Sequence, residues 1–159
     1  MDLTLNGEQR LNATPERVWE ALTDPTVLQR CIPGCKQLEL VEEGVYQAVL
    51  EIGVAAVKGR FAGQVRMTEM APPQHLILDI NGEGANGFVH AHGQLDLEPG
   101  EASTRLVYQG HAEVGGKIAG VGQRIMSGVA KFLVGQFFKT LDHELAEPHE
   151  REKESEERQ

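Results

Sequence analysis

The stretch GFVHAHGQLDLEPGEASTRLVYQGHAEV, residues 87–114, decides the fold, because its side chains alternate in character with a period of two. Alternation of this kind is typical of β-strands that bury one face. Pro99-Gly100 interrupts it with turn residues and so predicts one strand over 87–98 and another over 103–114. A connection this short allows only antiparallel pairing, since parallel neighbours need a crossover of about a dozen residues or more.

The same period of two continues on the N-terminal side of this hairpin. Turn residues divide that segment at Glu43-Gly44, at Ala71-Pro72-Pro73 and at Asn81-Gly82 through Asn86-Gly87. The strands predicted between them lie at 36–42, 45–54, 59–70 and 75–82. A weaker alternation predicts a first strand over 3–11, and we expect it to join an edge of the six-stranded run.

Two short helices are predicted between the first strand and the six-stranded run. Thr14 and Asp24 are N-cap residues, and each is followed by a proline, which suits the first helical position. Pro33-Gly34 ends the second helix. Trp19 lies on the apolar face of the first helix, and we expect this large side chain to be buried against the end of the sheet or the final helix.

A long C-terminal helix is predicted over residues 117–146, where apolar residues return to a helical period. An amphipathic helix needs a partner surface, which the strands supply. The sequence therefore predicts an α+β fold, with one strongly bent, seven-stranded antiparallel sheet around the helix and two short helices after the first strand. Residues 1–146 form this domain, and we expect the charged residues 147–159 to be a disordered tail.

Composition narrows the class of protein. The 159 residues suffice for one domain with a substantial core. A net charge of −9 argues against a nucleic-acid partner, and against electrostatic docking on an anionic membrane unless a local basic patch exists. We find no secretory leader and no apolar stretch of about 18 residues. We therefore expect a soluble, cytoplasmic protein.

The two cysteines, Cys31 and Cys35, flank the turn at Pro33-Gly34. Two thiols so close together do not form a disulfide framework for a domain of this size. A redox-active C-x3-C pair is the alternative, although the spacing differs from C-x2-C and only Arg30 and Lys36 supply positive charge. Buried thiols around a turn are the simpler interpretation.

Glycine recurs on the parity that carries the apolar residues of the strands, at Gly63, Gly82, Gly93 and Gly110. Small residues on an inward face leave volume between sheet and helix, and so predict a cavity. The alternative is that these glycines only permit sharp bending or close helix–sheet approach, and the two interpretations are compatible. The final helix shows the same feature, with glycines at Gly120, Gly122, Gly128 and Gly135.

The mouth of this cavity is predicted at two segments. Four glycines fall within Gly115–Gly122, which makes local opening easy. The Gly53–Gly59 turn has an apolar tip, which is unfavourable unless a membrane, a partner or a ligand covers it. We expect both segments to frame the mouth, with Lys58 and Lys117 as the nearest positive charges. The alternative is that both are ordinary flexible loops.

No catalytic or metal-binding constellation is predicted. His90, His92 and His111 share a face and could together bind zinc, but polar residues on the same parity indicate a solvated outer face. The sequence has no G-x-S-x-G elbow, no phosphate-binding loop and no inward pair of carboxylates. We therefore expect no cofactor, no metal and no catalytic residue.

The candidate ligand-binding residues are those expected to face the cavity. A few polar groups in an apolar cavity usually orient a ligand, and Tyr46 and Tyr108 are the candidates on the strands. Alternatively, their hydroxyl groups only reach the rim. The full set is Tyr46, Leu50, Phe61, Val65, Leu78, Ala91, Leu95, Tyr108, Ile118, Gly122, Ile125, Met126, Val129 and Phe132.

Three stretches resemble the G-subunit family of carbon monoxide dehydrogenase. They are TPERVWEALTDPTVLQRCIPGC (residues 14–35), VKGRFAGQV (57–65) and VGGKIAGVGQRIMSGVAKFLVGQFF (114–138). The D-P…CIPGC and K-G-x-F-x-G elements, in this order, are fairly specific to the family. It belongs to the START-like, polyketide-cyclase-like (SRPBCC) superfamily, and the resemblance covers about residues 2–145.

The resemblance implies a helix-grip fold, in which the seven-stranded sheet wraps around the C-terminal helix and encloses a hydrophobic cavity. It also implies a non-catalytic role beside a molybdenum hydroxylase such as carbon monoxide dehydrogenase, in maturation, membrane recruitment or electron transfer to the membrane. An isoprenoid quinone or a lipid is the expected ligand. Peripheral contact with the inner face of the membrane is the expected location.

Two other functions are compatible with these observations. The protein could be an assembly or maturation factor for that enzyme, with an incidental cavity. It could also be a small cyclase-like or hydrolase-like enzyme, whose turnover would depend on an inward Tyr46, Tyr108 or His143.

Overall fold

Seven β-strands and three α-helices build the computed structural model, which describes residues 1–54 and 57–158, with side chains as far as Ala146. The strands are β1 (Asp2–Leu11), β2 (Cys35–Glu42), β3 (Val45–Val54), β4 (Val57–Ala71), β5 (His75–Gly84), β6 (Gly87–Pro99) and β7 (Thr104–Gly115). The helices are α1 (Pro15–Leu22), α2 (Pro25–Cys31) and α3 (Gln123–Arg158), and a 3₁₀ segment, Lys117–Val121, precedes α3.

All seven strands form one antiparallel sheet in the order β1-β7-β6-β5-β4-β3-β2, which confirms the predicted fold. Strands β2 to β7 follow one another as hairpins, and β1 pairs with β7 at the edge. Each predicted strand limit lies within two residues of the observed one. Ladder irregularities between Cys35 and Gln37, Leu40 and Glu42, and Thr68 and Ala71 add twist and help the sheet to bend.

The two short helices start at the predicted caps. The Thr14 hydroxyl oxygen accepts a hydrogen bond from the Arg17 N–H at 3.4 Å. The Asp24 carboxylate accepts one from the Thr26 N–H at 2.9 Å. In both helices a proline occupies the start, where a missing N–H has no effect.

The C-terminal helix starts later than predicted, because Gly122 interrupts it. Gly122 has a φ of +92°, a conformation that a right-handed helix cannot contain. Residues before it form the 3₁₀ segment instead, and the Met126 N–H donates to the Gly122 carbonyl at 3.0 Å as α3 begins. The backbone of α3 runs on to Arg158. The side chains of the predicted tail, residues 147–159, lie outside the described residues, and its disorder stays a prediction.

Three clusters of buried apolar side chains join the helices to the sheet. The first cluster, around α1, α2 and the middle of α3, contains Leu11, Ala13, Val18, Leu22, Cys31, Leu97, Leu106, Phe138, Leu141 and Leu145. The second cluster, at the 3₁₀ segment and the start of α3, contains Leu3, Val57, Phe61, Ala112, Val114, Ile118, Met126 and Val129. The third cluster, beside α2, contains Leu28, Leu38, Tyr46, Ala48, Met67 and Leu76. Trp19 packs on the first and third clusters but is only partly buried, so its predicted burial is incomplete.

The break at Gly122 predicts opposite effects for two glycine substitutions. Gly128→Ala should raise the free energy of unfolding by about 1 kcal/mol, because Gly128 is exposed within α3 and an added Cβ meets no atom within 4 Å. Gly122→Ala should lower it by about 1–2 kcal/mol, because alanine is strained at a positive φ. Urea unfolding measures both changes. If both substitutions changed the free energy of unfolding equally, residue 122 would not require the positive φ that interrupts the helix.

Candidate ligand-binding site

Along one row of side chains, the inner face of the sheet is covered at two positions and open between them. Cross-strand register places Leu3, Ala112, Ala91, Ile80, Val65 and Tyr46 side by side in that row. Leu3 is 4% exposed and Tyr46 is 2% exposed, whereas Ile80 on the central strand is 37% exposed. We call the open strip formed by Val65, Leu78, Ile80, Gly82 and Ala91 the groove.

The floor of the groove is apolar along three neighbouring strands. Because side chains alternate between the two faces of a sheet, every second residue of β4, β5 and β6 faces inward. These inward residues are Val57, Gly59, Phe61, Gly63, Val65 and Met67 on β4, Leu76, Leu78, Ile80, Gly82 and Gly84 on β5, and Val89, Ala91, Gly93, Leu95 and Leu97 on β6. Such a surface fits a neutral, hydrophobic molecule and offers a charged one no partner.

Close approach of the strands explains some of the inward glycines, and the cavity interpretation stays a prediction. A Cβ at Gly63 would collide with the backbone of Asn81, so this glycine permits close approach of the strands. A Cβ at Gly93 would lie 3.0 Å from the Gln109 carbonyl oxygen, which is also tight. At Gly82, in contrast, an added Cβ meets no atom within 4 Å. Gly82 is therefore where the missing side chain leaves open volume over the sheet.

The glycines of the final helix do not contribute to this volume. Gly128 and Gly135 are exposed, and a Cβ added to either one meets no atom within 4 Å. Gly128 lies about 160° around α3 from the buried Met126, on the side away from the second cluster. The interpretation of these glycines as cavity-lining residues is therefore wrong.

The candidate residues fall into three groups by burial. Tyr46, Phe61, Ile118, Met126 and Val129 are buried in the clusters at the ends of the groove. Leu50, Val65, Leu78, Ala91, Leu95 and Tyr108 are partly buried, and three of them form the groove itself. Gly122, Ile125 and Phe132 are exposed. Their role in binding stays a prediction, and Gly122 is a helix break instead of a member of the apolar face.

Ile80 and Gly82 belong to the groove although they are absent from the predicted set. Both share the parity of Leu78, so the alternation along β5 contains the signal. What the alternation does not show is that Ile80 remains 37% exposed while its row neighbour Tyr46 is buried. That difference depends on where α3 lies, which is a long-range property of the fold.

The inward tyrosines serve the protein's own structure. The Tyr46 hydroxyl donates to the Thr23 carbonyl oxygen at 2.9 Å and so ties β3 to the end of α1. Burial, and after it the charge of Asp24, raises the pKa of Tyr46, which keeps the phenol neutral. The Tyr108 ring stacks on Phe138, with 5.4 Å between the ring centroids. In this structure Tyr46 closes one end of the groove and does not present a free hydroxyl to it.

The predicted mouth segments meet each other in the second cluster. Ile118 of the 3₁₀ segment is 4% exposed, and its N–H donates to the Asn86 carbonyl at 2.9 Å. Val57, at the start of β4, belongs to the same cluster. Residues 55 and 56, at the tip of the Gly53–Gly59 turn, lie outside the described residues. Lys58 and Lys117 are exposed beside these segments, and the mouth stays a prediction.

The strand histidines lie on the exposed outer face, as predicted. His92 and Asp79 pair across neighbouring strands, with 2.5 Å between Nδ1 and Oδ1. The rings of His92 and His111 have centroids 5.9 Å apart. Among the described residues, no group of three or more histidine, cysteine, aspartate or glutamate side chains could hold a metal ion.

The two cysteines are free, and Cys31 is buried. Burial, and after it the charge of Glu144, raises the pKa of Cys31 to about 12. Burial also raises the pKa of Cys35. Because the thiolate is the reactive form, the raised pKa values disfavour reaction of both thiols, and the redox interpretation has no support in their surroundings.

A curved sheet of seven antiparallel strands around one long C-terminal helix, with an apolar inner face, defines a START-like helix-grip protein. The same fold occurs in a START superfamily protein from Mycobacterium smegmatis, with a TM-score of 0.72 and 13% identity over 91% of this chain and 97% of that one. It also occurs in the Zhui aromatase/cyclase from a Streptomyces species, with a TM-score of 0.68 and 14% identity over 91% and 94%. Within this class, the chain belongs to the CoxG family, the G-subunit family of carbon monoxide dehydrogenase, whose model matches residues 7–146.

A crystal structure of a conserved protein from Geobacillus kaustophilus is also similar to this chain. The two are 49% identical over 91% of this chain and 96% of that one, with a TM-score of 0.88. The similarity therefore extends over nearly the whole of both chains. Among curated proteins, none matches this chain in sequence.

The hydrogen bond of Tyr46 generates a prediction with a defined pH dependence. Tyr46→Phe leaves the Thr23 carbonyl without this donor and should lower the free energy of unfolding by about 1–2 kcal/mol at neutral pH. The raised pKa in the folded protein means that folding favours the neutral phenol. The resulting stabilisation is present at pH values below the ordinary pKa of tyrosine. It is lost as the pH rises through the raised pKa that Tyr46 has in the folded protein. Urea unfolding should therefore show a smaller difference at about pH 11 than at about pH 8.

Tyr108→Phe is the matched control for this measurement. It removes the same hydroxyl group but keeps the ring stacked on Phe138. We expect little change in stability from it at either pH. A Tyr46→Phe variant as stable as the wild type at both pH values would contradict the structural role of the Thr23 hydrogen bond.

Proposed function

We propose that this protein is a non-catalytic carrier that holds a neutral hydrophobic molecule, a quinone or a lipid, in the groove. It serves a molybdenum hydroxylase of the carbon monoxide dehydrogenase type, in membrane recruitment or electron transfer, at the inner, cytoplasmic face of the membrane. The observation that carries the proposal is the 37% exposure of Ile80, at the centre of the inner face of the sheet.

Exposure at this position supports a binding site because it is unfavourable without a ligand. The inward side chains of a central strand are ordinarily the best covered, since interiors are close-packed. Here Val65, Leu78 and Ala91 beside Ile80 are also only partly buried. A hydrophobic molecule in the groove would remove this apolar surface from water, at about 25 cal/mol for each Å².

The lining of the groove supports a carrier more than an enzyme. Its floor consists of apolar residues and glycine, which bind and orient but do not transfer protons. The Tyr46 hydroxyl group donates its hydrogen bond to the Thr23 carbonyl oxygen. The Zhui aromatase/cyclase shows that the fold also occurs in an enzyme. Turnover of a substrate that depends on Tyr108 would therefore indicate a cyclase-like or hydrolase-like activity instead of a carrier.

Membership of the CoxG family supports the proposed partner, because the family takes its name from carbon monoxide dehydrogenase. Within the described residues, no helix has both the length and the apolar character needed to cross a membrane. The membrane contact that we propose is peripheral, through the surface of the domain.

A second function, as an assembly or maturation factor for the same enzyme, is favoured by strand β2. This strand forms an edge of the sheet. Its Leu40 and Val41 are 51% and 47% exposed, which is unusual for large apolar side chains next to each other. An unpaired edge with exposed apolar side chains is a typical docking site for an extended segment of another protein.

The carrier function predicts that filling the groove abolishes binding. Gly82→Phe places a ring in open space over the sheet, and the affinity for a hydrophobic ligand should fall at least about tenfold. The probe is decylubiquinone, titrated while the fluorescence of Trp19, the single tryptophan, is recorded. Native mass spectrometry of the purified wild type should in addition detect a co-purified hydrophobic molecule.

The matched control for this experiment is Gly53→Phe. Gly53 also has no atom within 4 Å of an added Cβ, but it lies on the opposite face of the sheet. It should leave quinone binding unchanged. Absence of any co-purified or titratable hydrophobic molecule in the wild type would overturn the carrier function.

The assembly function predicts a different pattern of losses. Co-expression of the tagged protein with a carbon monoxide dehydrogenase-type enzyme, followed by pull-down, measures the contact directly. If β2 is the docking edge, Leu40→Ser combined with Val41→Ser should release the enzyme, while Gly82→Phe should retain it. Retention of the enzyme by the β2 variant would contradict a role for this edge.

A further inference from the structure

The first half of α3, with the 3₁₀ segment before it, lies in the longest stretch of the chain that has basic but no acidic residues. Residues 114–141 contain Lys117, Arg124, Lys131 and Lys139 and no aspartate or glutamate. The whole chain, in contrast, has a net charge of −9. A local positive field can therefore exist on this part of the surface despite the overall charge.

The four basic side chains are exposed. Some other cations of the protein have acidic partners: Arg30 pairs with Glu144 at 2.8 Å and Arg105 with Glu98 at 2.8 Å. Within the part of the chain whose side chains are described, no ion pair involves the cations of the stretch. Their charge is thus available to an anionic partner.

Two large apolar side chains project from the same surface of α3. Ile125 is 48% exposed and Phe132 is 51% exposed. On a helix with about 100° between successive residues, both lie within about 120° of Arg124 and Lys131. Gly128 lies between the basic pair and the apolar pair. We call the exposed surface formed by Arg124, Ile125, Lys131, Phe132 and Lys139 the basic arc.

The basic arc faces away from the edge strand β1. The Gln123 side chain donates to the Asp2 carbonyl oxygen at 3.0 Å, which fixes the side of α3 that adjoins β1. Ile125 and Phe132 lie about 160° and 180° around the helix from Gln123. The arc is thus neither buried against the sheet nor directed toward its β1 edge.

We propose that the basic arc docks the protein on an anionic lipid bilayer. In a surface helix of this kind, apolar side chains enter the boundary between headgroups and acyl chains, and the flanking cations contact anionic headgroups. Ile125 and Phe132 are two helical turns apart, about 10 Å, and each is about half exposed. That spacing suits insertion into a fluid interface better than the packed, concave centre of a protein–protein contact.

This inference deepens the proposed function, because it names the surface that makes the peripheral membrane contact. A carrier docked by the arc would exchange a quinone or a lipid with the bilayer that dissolves it. Docking itself, however, does not require an occupied groove, and the two are measured separately.

Co-sedimentation with vesicles tests the inference. Wild-type protein should sediment with phosphatidylcholine vesicles that contain about a third phosphatidylglycerol and remain in solution with phosphatidylcholine alone. Added salt should weaken the binding, because it screens the charges. Arg124→Gln combined with Lys131→Gln should lower the partition coefficient about tenfold, and Phe132→Ser should also lower it.

The controls make the same chemical changes elsewhere. Arg60→Gln combined with Arg66→Gln removes two exposed cations from the outer face of the sheet, and Val41→Ser removes an exposed apolar side chain from β2. Both variants should bind vesicles as the wild type does. Circular dichroism confirms that each variant is folded, so that loss of binding reflects the altered surface.

Three results would overturn the inference: no binding of the wild type to anionic vesicles, equal loss in the control variants, or loss of an acidic protein partner in the basic-arc variants without any vesicle binding. The Gly82→Phe variant distinguishes failure of membrane docking by the basic arc from failure of the proposed carrier function. If this variant binds vesicles but no decylubiquinone, docking and carriage are both supported. If the wild type binds vesicles but no decylubiquinone, docking stands and the carrier function falls.

Discussion

The attachment of α3 to the sheet at two separated places is the constraint on which the site depends. Near its start, Met126 and Val129 enter the second cluster. Near its middle, Phe138 and Leu141 enter the first cluster. Polar contacts reinforce this second attachment, since Arg30 pairs with Glu144 at 2.8 Å and Arg17 donates to the Leu145 carbonyl at 2.8 Å. Held in this way, the helix spans the sheet and leaves the strip around Ile80 uncovered.

This arrangement separates the residues that stabilise the fold from those that line the open groove. Side chains at the two attachments, such as Leu106 and Leu141, are fully buried, and their truncation would cost about 2–5 kcal/mol each. Ile80 and Leu78 have less contact to lose, so their size and shape could change with a smaller effect on stability. The same framework can therefore carry different side chains along its groove, and the fold occurs in both a START superfamily protein and an aromatase/cyclase.

Alternation and capping predict the elements well because both are local. Each strand buries one face, so its side chains alternate in character with a period of two. The N-cap residues Thr14 and Asp24 accept hydrogen bonds from residues no more than three positions further along the chain. The break at Gly122 escapes this reasoning, since apolar spacing reports which side is buried and not which φ the backbone adopts. Alternation along the strands predicts which side chains face the groove, but it does not predict that they remain exposed. The partner of Tyr46 was not predictable, since Thr23 lies 23 positions away and the two meet only in the assembled fold.

The pairing of β1 with β7 has a consequence for how the chain is made. Asp2 of β1 pairs with Glu113 of β7, which lies 113 − 2 = 111 positions further along the chain. During synthesis from the N-terminus, β1 must therefore wait without its partner until most of the chain has left the ribosome. Contacts this distant in sequence are typical of slow folding. An unpaired early strand is also the segment most prone to pair with a neighbouring copy. Expression yield of this protein should thus respond to translation rate and to chaperones that bind nascent chains.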